Sequence, residues 1–250
     1  MSINEFLVFY LISESGSRKD PTKLGKATKR ACLTNFKQTF PNSSIVFCVD
    51  NVSEPLLKYI TKHKGPKDSI RIINGGSHSI TFLTVLGMIE ELNVSASTPI
   101  LIQEDDYLYL PGAESGMLNA LEYSHYVTGY LHPDKFMDPA LGGNPSTHGE
   151  NISEPTRVIQ TKDHFWMMTN STTGTFGVKL ETLLSDLSVW RQFTKGKALL
   201  EDYNAFMKLR AKGRTLLMPI PTLATHVMTQ WLAPLTGTDY QTWDSITDDL

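Results

Sequence analysis

The sequence predicts an α/β fold: a mostly parallel, Rossmann-like central sheet flanked by helices, followed by a smaller antiparallel part. Three observations point there. Over the first hundred residues, short continuous apolar runs alternate with stretches of helical spacing. The runs 6–12, 44–49 and 99–102 are almost wholly apolar, as strands covered by helices on both faces must be. A β-α-β-α order with such strands closes into a parallel sheet. The chain has 250 residues, 40% apolar and 20% charged, which is enough for the full core of a single domain.

The elements follow in order. Residues 6–12 are a continuous apolar run rich in aromatic and branched side chains, hence a first strand buried on both faces. Asp20-Pro21-Thr22 reads as a helix start, with Leu24, Ala27, Ala31, Cys32, Phe36 and Phe40 near helical spacing until Pro41-Asn42 stops it. Residues 44–49 are a second buried strand, 55–63 a short helix and 69–73 a third strand. Ser77 is placed to cap a helix running to about residue 92, with Leu83, Leu86 and Ile89 facing inward. Residues 99–102 give the fourth strand.

Beyond Pro111 the pattern loosens. A helix over 111–123 and a strand over 126–131 precede a Pro- and Gly-rich stretch, 132–155, without periodicity. A loop of that length is usually functional or mobile. Strands over 157–169 and 173–178 read as antiparallel, helices over 179–187 and 197–211 follow, and 216–218 is a short strand. No internal repeat breaks the chain, so it reads as one domain, with a nucleotide-binding-like half (1–110) and a substrate-shaping half (111–250).

Composition excludes several classes. With 23 Lys and Arg against 26 Asp and Glu, the net charge is −3, which argues against a nucleic-acid partner. The start of the chain lacks the basic segment of a secretory signal, and every apolar run falls short of the ~20 residues of a membrane span. The two cysteines, Cys32 and Cys48, sit within apolar patterns and read as buried reduced thiols, so a cytoplasmic location is expected. Asn-x-Ser/Thr triplets begin at Asn42, Asn51, Asn93, Asn151 and Asn170; without a signal they are taken as chance occurrences.

The most informative stretch is Gln103-Glu104-Asp105-Asp106-Tyr107, where three acids emerge directly from an apolar strand. In parallel sheets, ligands bind at the carboxyl ends of strands where the strand order reverses. On an extended chain Glu104 and Asp106 share a face, and two such carboxylates suit a hard cation such as Mg²⁺ or Mn²⁺. The plain alternative is a solvated turn at a strand end.

Glu104 to Gly112 (Glu-Asp-Asp-Tyr-Leu-Tyr-Leu-Pro-Gly) resembles the metal-binding Asp-x-Asp region of GT-A-fold glycosyltransferases, in the Glu-Asp-Asp-Tyr variant of small bacterial and phage-type enzymes. Residues 126–136 resemble the strand that follows in that group. The resemblance implies transfer of a sugar from a nucleoside-diphosphate sugar to the hydroxyl of a glycan or other acceptor, with Mn²⁺ or Mg²⁺ as cofactor. It implies that Glu104, Asp105 and Asp106 face the donor, that Asp106 binds the metal bridging the donor's two phosphates, and that Glu104 belongs to the same metal site, holding the donor ribose or a metal-bound water. Asp50, at the end of the second strand, matches an acid that binds nucleobase or ribose, against a turn-forming role as the alternative. Ser13 matches the start of the donor loop by position. Gly76 and His78 lie in Asn74-Gly75-Gly76-Ser77-His78, where glycines permit close backbone approach and a helix N-terminus favours an anion; a simple tight turn is the alternative. Residues 219–227 resemble the late segment that delivers a histidine, here His226, to the metal.

Glu201-Asp202 resembles the acidic pair that supplies the base of inverting enzymes, with Asp202 preferred and Glu201 and Asp163 as alternates. Favourable charge at a helix start is the alternative. Trp166 and Trp190 could offer flat faces to a sugar or simply fill the core. Two other functions fit the same residues: a non-catalytic nucleotide or carbohydrate binder, and a metal-dependent phosphoryl-transfer enzyme.

Overall fold

The structure is a computed structural model, described for residues 5–14, 22–143, 157–234 and 243–247. Ser15 and Gly16, the helix-start signal at Asp20-Pro21, Asn151 and residues 144–155 of the aperiodic stretch lie outside the described residues.

The first half alternates as expected: β1 (Leu7–Ser13), α1 (Lys29–Thr39), β2 (Ser44–Asp50), α2 (Glu54–His63), β3 (Ser69–Ile73), α3 (His78–Glu90) and β4 (Pro99–Glu104). Then come β5 (Tyr107–Tyr109), α4 (Ala113–Ala120), β6 (Tyr126–Val127), β7 (Val158–Gln160), β8 (Phe165–Met168), β9 (Phe176–Lys179), α5 (Leu180–Gln192), α6 (Asp202–Ala211), β10 (Leu216–Ile220) and β11 (Ala224–His226). The main sheet has the order β3-β2-β1-β4-β9-β6-β10-β8-β7, parallel from β3 through β4. Thereafter β9 enters antiparallel between β4 and β6, and only β6 and β10 pair in parallel. The chain builds outward from β1 to β3, then returns to lay β4 on the other side of β1. That reversal creates the crevice between the carboxyl ends of β1 and β4.

Alternation along β1 explains its burial on both faces. Val8, Tyr10 and Ile12 point into one core with Phe36, Phe40 and Phe47, while Phe9 and Leu11 point into another with Phe82, Phe176, Trp190 and Phe206. Helices α1, α2 and α4 cover the first face, and α3, α5 and α6 the second. Trp166 and Trp190 are wholly buried in these two cores, so neither offers a face to a sugar. Cys32 and Cys48 are buried free thiols. No helix among the described residues is long and apolar enough to cross a membrane.

Several boundaries moved: the strand read over 126–131 keeps only two residues as β6, and the helix read over 197–211 begins at Asp202. The first helix begins at Lys29, because Thr28 accepts from the Ala31 N–H and caps it there. Residues 22–24 instead run beside 227–229: Leu24 N donates to Val227 O at 2.9 Å, and Lys23 pairs with Met228. The span 157–169 splits into the hairpin β7–β8. Strands β5 and β11 went unread; they pair with each other in a separate two-stranded sheet.

Candidate active site

A cavity of about 330 Å³ opens at the carboxyl ends of β1, β2 and β4, bounded on the far side by the β3–α3 loop. Ser13, Asp50, Gly76, His78, Glu104, Asp105 and Asp106, seven of the residues singled out from sequence, line it together.

The alternation expected for the acids fails, because β4 ends at Glu104 and the backbone bends at 105–106 before β5 starts. The bend sends each acid to different partners. Glu104 accepts from Thr175 Oγ1 at 3.3 Å and meets His78 Nε2 at 2.8 Å. Leu200 N–H donates to the other ring nitrogen of His78 at 3.4 Å, which leaves Nε2 as the protonated atom facing Glu104. Burial opposes a charge on His78, but the hydrogen bond and charge of Glu104 outweigh it and hold the imidazole above its usual range.

Asp105 turns beneath the cavity. It accepts from Ser13 N–H at 2.9 Å and from the Lys29 ammonium at 2.5 Å. Burial raises its carboxyl above the ordinary range although Lys29 pulls the other way. Ser13 thus contributes a backbone N–H that ties β1 to the acid bend.

Asp106 Oδ2 lies 2.9 Å from Lys23 Nζ and 3.1 Å from His226 Nε2. The histidine arrives because β11 runs antiparallel to β5 with His226 opposite Tyr107, and because Val227 N donates to Asp106 O at 3.1 Å. Burial would lift the Asp106 carboxyl, but His226 and Lys23 overrule it and hold the group well below the carboxylate range. Burial likewise opposes a charge on His226, and the Asp106 carboxylate outweighs it and raises the imidazole.

Asp50 is committed elsewhere. One oxygen accepts from the N–H groups of Gly75 and Gly76 at 2.9 and 3.2 Å, and the other from Thr81 Oγ1 at 2.5 Å. It builds the loop ahead of α3, the turn-forming alternative stated for it. Gly75 packs so closely that a Cβ would stand 2.7 Å from Thr81 Oγ1, and Gly76 has φ +67°, so both glycines are required by this loop.

The Glu201-Asp202 pair divides. Glu201 faces solvent, paired with Lys197 at 2.8 Å. Asp202 faces inward, where burial pushes its carboxyl up to about 7; Glu104 adds to the rise, while His78 and Lys135 oppose it. Asp163 is exposed in the β7–β8 turn, 3.4 Å from Asn119 Nδ2.

Sequence reading missed Lys23 and Lys29, the basic partners of the aspartates, and Thr175. It also missed Asn35, whose side-chain amide brackets Tyr109 through both backbone groups, at 2.7 and 3.0 Å, and so fixes β5 behind the bend. The lysines stand in a stretch with a basic residue every third position, which carries no sign of its partner. An asparagine on the apolar face of α1 was the one usable signal.

Asp106 and His226 could hold a divalent cation between them, one oxygen and one nitrogen donor, a set that suits Mn²⁺ better than Mg²⁺. Binding through His226 Nε2 would move the ring proton to Nδ1, at the cost of the long 3.4 Å contact from Met228 N. Among the described residues no group of three or more His, Cys, Asp or Glu forms a complete cage. A pair of protein ligands fits a cation that completes its shell with phosphate oxygens and water. Glu104 meets His78 with one oxygen and Thr175 with the other.

No family model and no curated protein matches the chain by sequence. Solved structures do match. The inositol-1-phosphate CTP transferase of T. maritima superposes with a TM-score of 0.51 over 100% of this chain and 98% of its own, at 11% identity. The nucleoside-diphosphate-sugar pyrophosphorylase of Vibrio cholerae RC9 gives 0.50 over 85% and 91%, at 15% identity. These two likenesses show the fold alone, an α/β domain with a central sheet flanked by helices. A galactosyltransferase, LgtC, solved with donor and acceptor sugar analogues, matches at 0.49 over 84% of this chain and 72% of its own, at 11% identity. What the first two share with this chain is architecture.

Proposed function

We propose that this chain is a metal-dependent glycosyltransferase that moves a sugar from a nucleoside-diphosphate sugar to an acceptor hydroxyl. One observation carries the reading: His226, from a strand 120 positions further along, meets Asp106 at 3.1 Å beside the cavity. Residues 1–110 would bind the donor and 111–250 shape the acceptor side.

A cation bound by Asp106 and His226 would act as a Lewis acid towards the donor diphosphate, a contribution of several kcal/mol. The chain's own groups do the rest. Glu104, held by His78 and Thr175, stands on the cavity wall near Asp202. Asp202, with its carboxyl near neutrality, is matched to accept the proton of the attacking hydroxyl, worth about 10²–10⁴-fold. Attack from the side of Asp202 would be in line with the departing diphosphate and would invert the anomeric centre. Glu201, turned to solvent, takes no part.

The test is incubation of the purified protein with UDP-, GDP- and CDP-sugars and Mn²⁺, following nucleotide release, alongside Asp106→Asn. Release by the wild type and its loss in the variant is the expected result. Silence across the panel with metal-dependent nucleotide binding would point to a binder. Pyrophosphate release from a nucleoside triphosphate and a sugar phosphate would replace the reading by nucleotidyl transfer.

A further inference from the structure

Lys23 has no part in the function proposed above, yet it shares one carboxylate oxygen with His226. Its backbone is fixed: Leu24 is buried, Leu24 N donates to Val227 O at 2.9 Å, and Thr229 N donates to Thr22 O at 2.6 Å. Its four-carbon stem reaches from this clamp to Asp106, where both side chains keep about a fifth of their surface exposed. Lys29 is the contrast. It is nearly buried against Asp105, itself only 11% exposed, and Asp105 is also fastened to Ser13. Of the two lysines, only Lys23 stands on the acid that pairs with a histidine.

We propose that Lys23 is a donor-diphosphate ligand held in reserve, resting on Asp106 in the unliganded protein and passing to the diphosphate when a divalent cation takes Asp106 and His226. This rests on the reading of that pair as the cation site. An ammonium and a dication cannot both sit against Asp106 Oδ2, because like charges at that range repel strongly wherever water is scarce. The arriving cation therefore displaces Lys23 from Asp106, and a diphosphate bound to that cation is the adjacent negative group. Charges balance at both stages. Before binding, the ammonium neutralises the carboxylate. Afterwards, dication and ammonium together offset the carboxylate and the two charges of a diphosphate diester. When the glycosyl bond breaks, its electron pair stays with the diphosphate, and an ammonium already in contact meets the added charge.

The assignment has a signature with two opposite signs. Lys23→Gln and Lys23→Ala should bind Mn²⁺ alone more tightly than the wild type, by about threefold or more, because the competing cation is gone. They should bind UDP or GDP at saturating Mn²⁺ more weakly, by about tenfold or more, because a charge-assisted hydrogen bond is lost. Lys23→Arg should restore nucleotide affinity. Mn²⁺ binding is read by electron paramagnetic resonance and nucleotide binding by calorimetry, with unliganded thermal melts checking that the variants fold. Unchanged or weaker Mn²⁺ binding in the variants, or unchanged nucleotide binding, overturns the role of Lys23. If the wild type binds neither Mn²⁺ nor nucleotide, the cation site itself is refuted and this inference with it.

Discussion

Asp202→Asn separates catalysis from stability. Burial raises the carboxyl from the ordinary range near 4 to about 7 in the folded chain, while the unfolded chain keeps the ordinary value. Between those limits the folded state holds the extra proton, so wild-type stability falls as pH rises from about 4 to about 7 and then levels off. Three units at about 1.36 kcal/mol each set a ceiling of about 4 kcal/mol, and partial solvent access reduces it to about 1–3 kcal/mol. Asparagine has nearly the same shape and keeps the oxygen that accepts from Tyr203 N at 2.7 Å, but never ionises. The variant should therefore melt several degrees above the wild type at about pH 8 and close to it at about pH 4.5. Turnover should drop by about 10²–10⁴-fold, and wild-type activity should fall on the acid side with an apparent pKa near 7. A melting difference that does not grow with pH, or that favours the wild type at pH 8, refutes the desolvated carboxylate. An unchanged rate refutes the base.

Three further outcomes follow from the packing. Asp50→Ala strips the acceptors from Gly75, Gly76 and Thr81 and should cost about 1–3 kcal/mol in urea unfolding, with weaker nucleotide binding as the loop loosens. Trp190→Ala removes a wholly buried ring stacked on Phe176 at 4.6 Å and edged by Phe206, and should cost about 3–5 kcal/mol, seen as a lower urea midpoint. Arg214→Met leaves the buried Asp186 without its 2.8 Å partner and should cost about 2–4 kcal/mol in the same assay; Asp186→Asn in that background should recover much of it.

The parallel half of the fold was legible because its signals are local. A strand such as 44–49 is an apolar run between polar stops, and Ser77 sits where a cap must sit, accepting from Ile80 N. The start of α1 was misread because Asp20-Pro21-Thr22 and Thr28 are rival helix starts, and the contact that decides between them is with residues 227–229. Strands β5 and β11 have three residues each and exist only through each other. The acids, the glycine loop and His226 could be found from residue type and position. Their partners could not, since ion pairs such as Lys23–Asp106 join residues 83 positions apart and leave no periodic trace.

Why three neighbouring acids should serve different ends follows from where the bend falls. Had β4 continued through 106, Glu104 and Asp106 would share one face, and Asp105 would point into the layer behind it. Instead the chain turns immediately after Glu104, and Asn35 and the β11 pairing hold the far side of the turn at Tyr109 and Tyr107. Asp105 then closes the crevice from below, binding β1 through Ser13 and α1 through Lys29. Glu104 is drawn to α3 through His78, and Asp106 is left as the acid facing β11. Each carboxylate thereby acquires a cationic or histidine partner from a different element, which keeps three adjacent negative charges from opposing one another in a poorly solvated place. Losing the bend would cost the site its charge balance as well as its shape. For that reason the short pairing of β5 with β11, whose Tyr107, Leu108, Tyr109 and Ala224 are also buried in the core, matters more to the chemistry than any strand of the main sheet beyond β4.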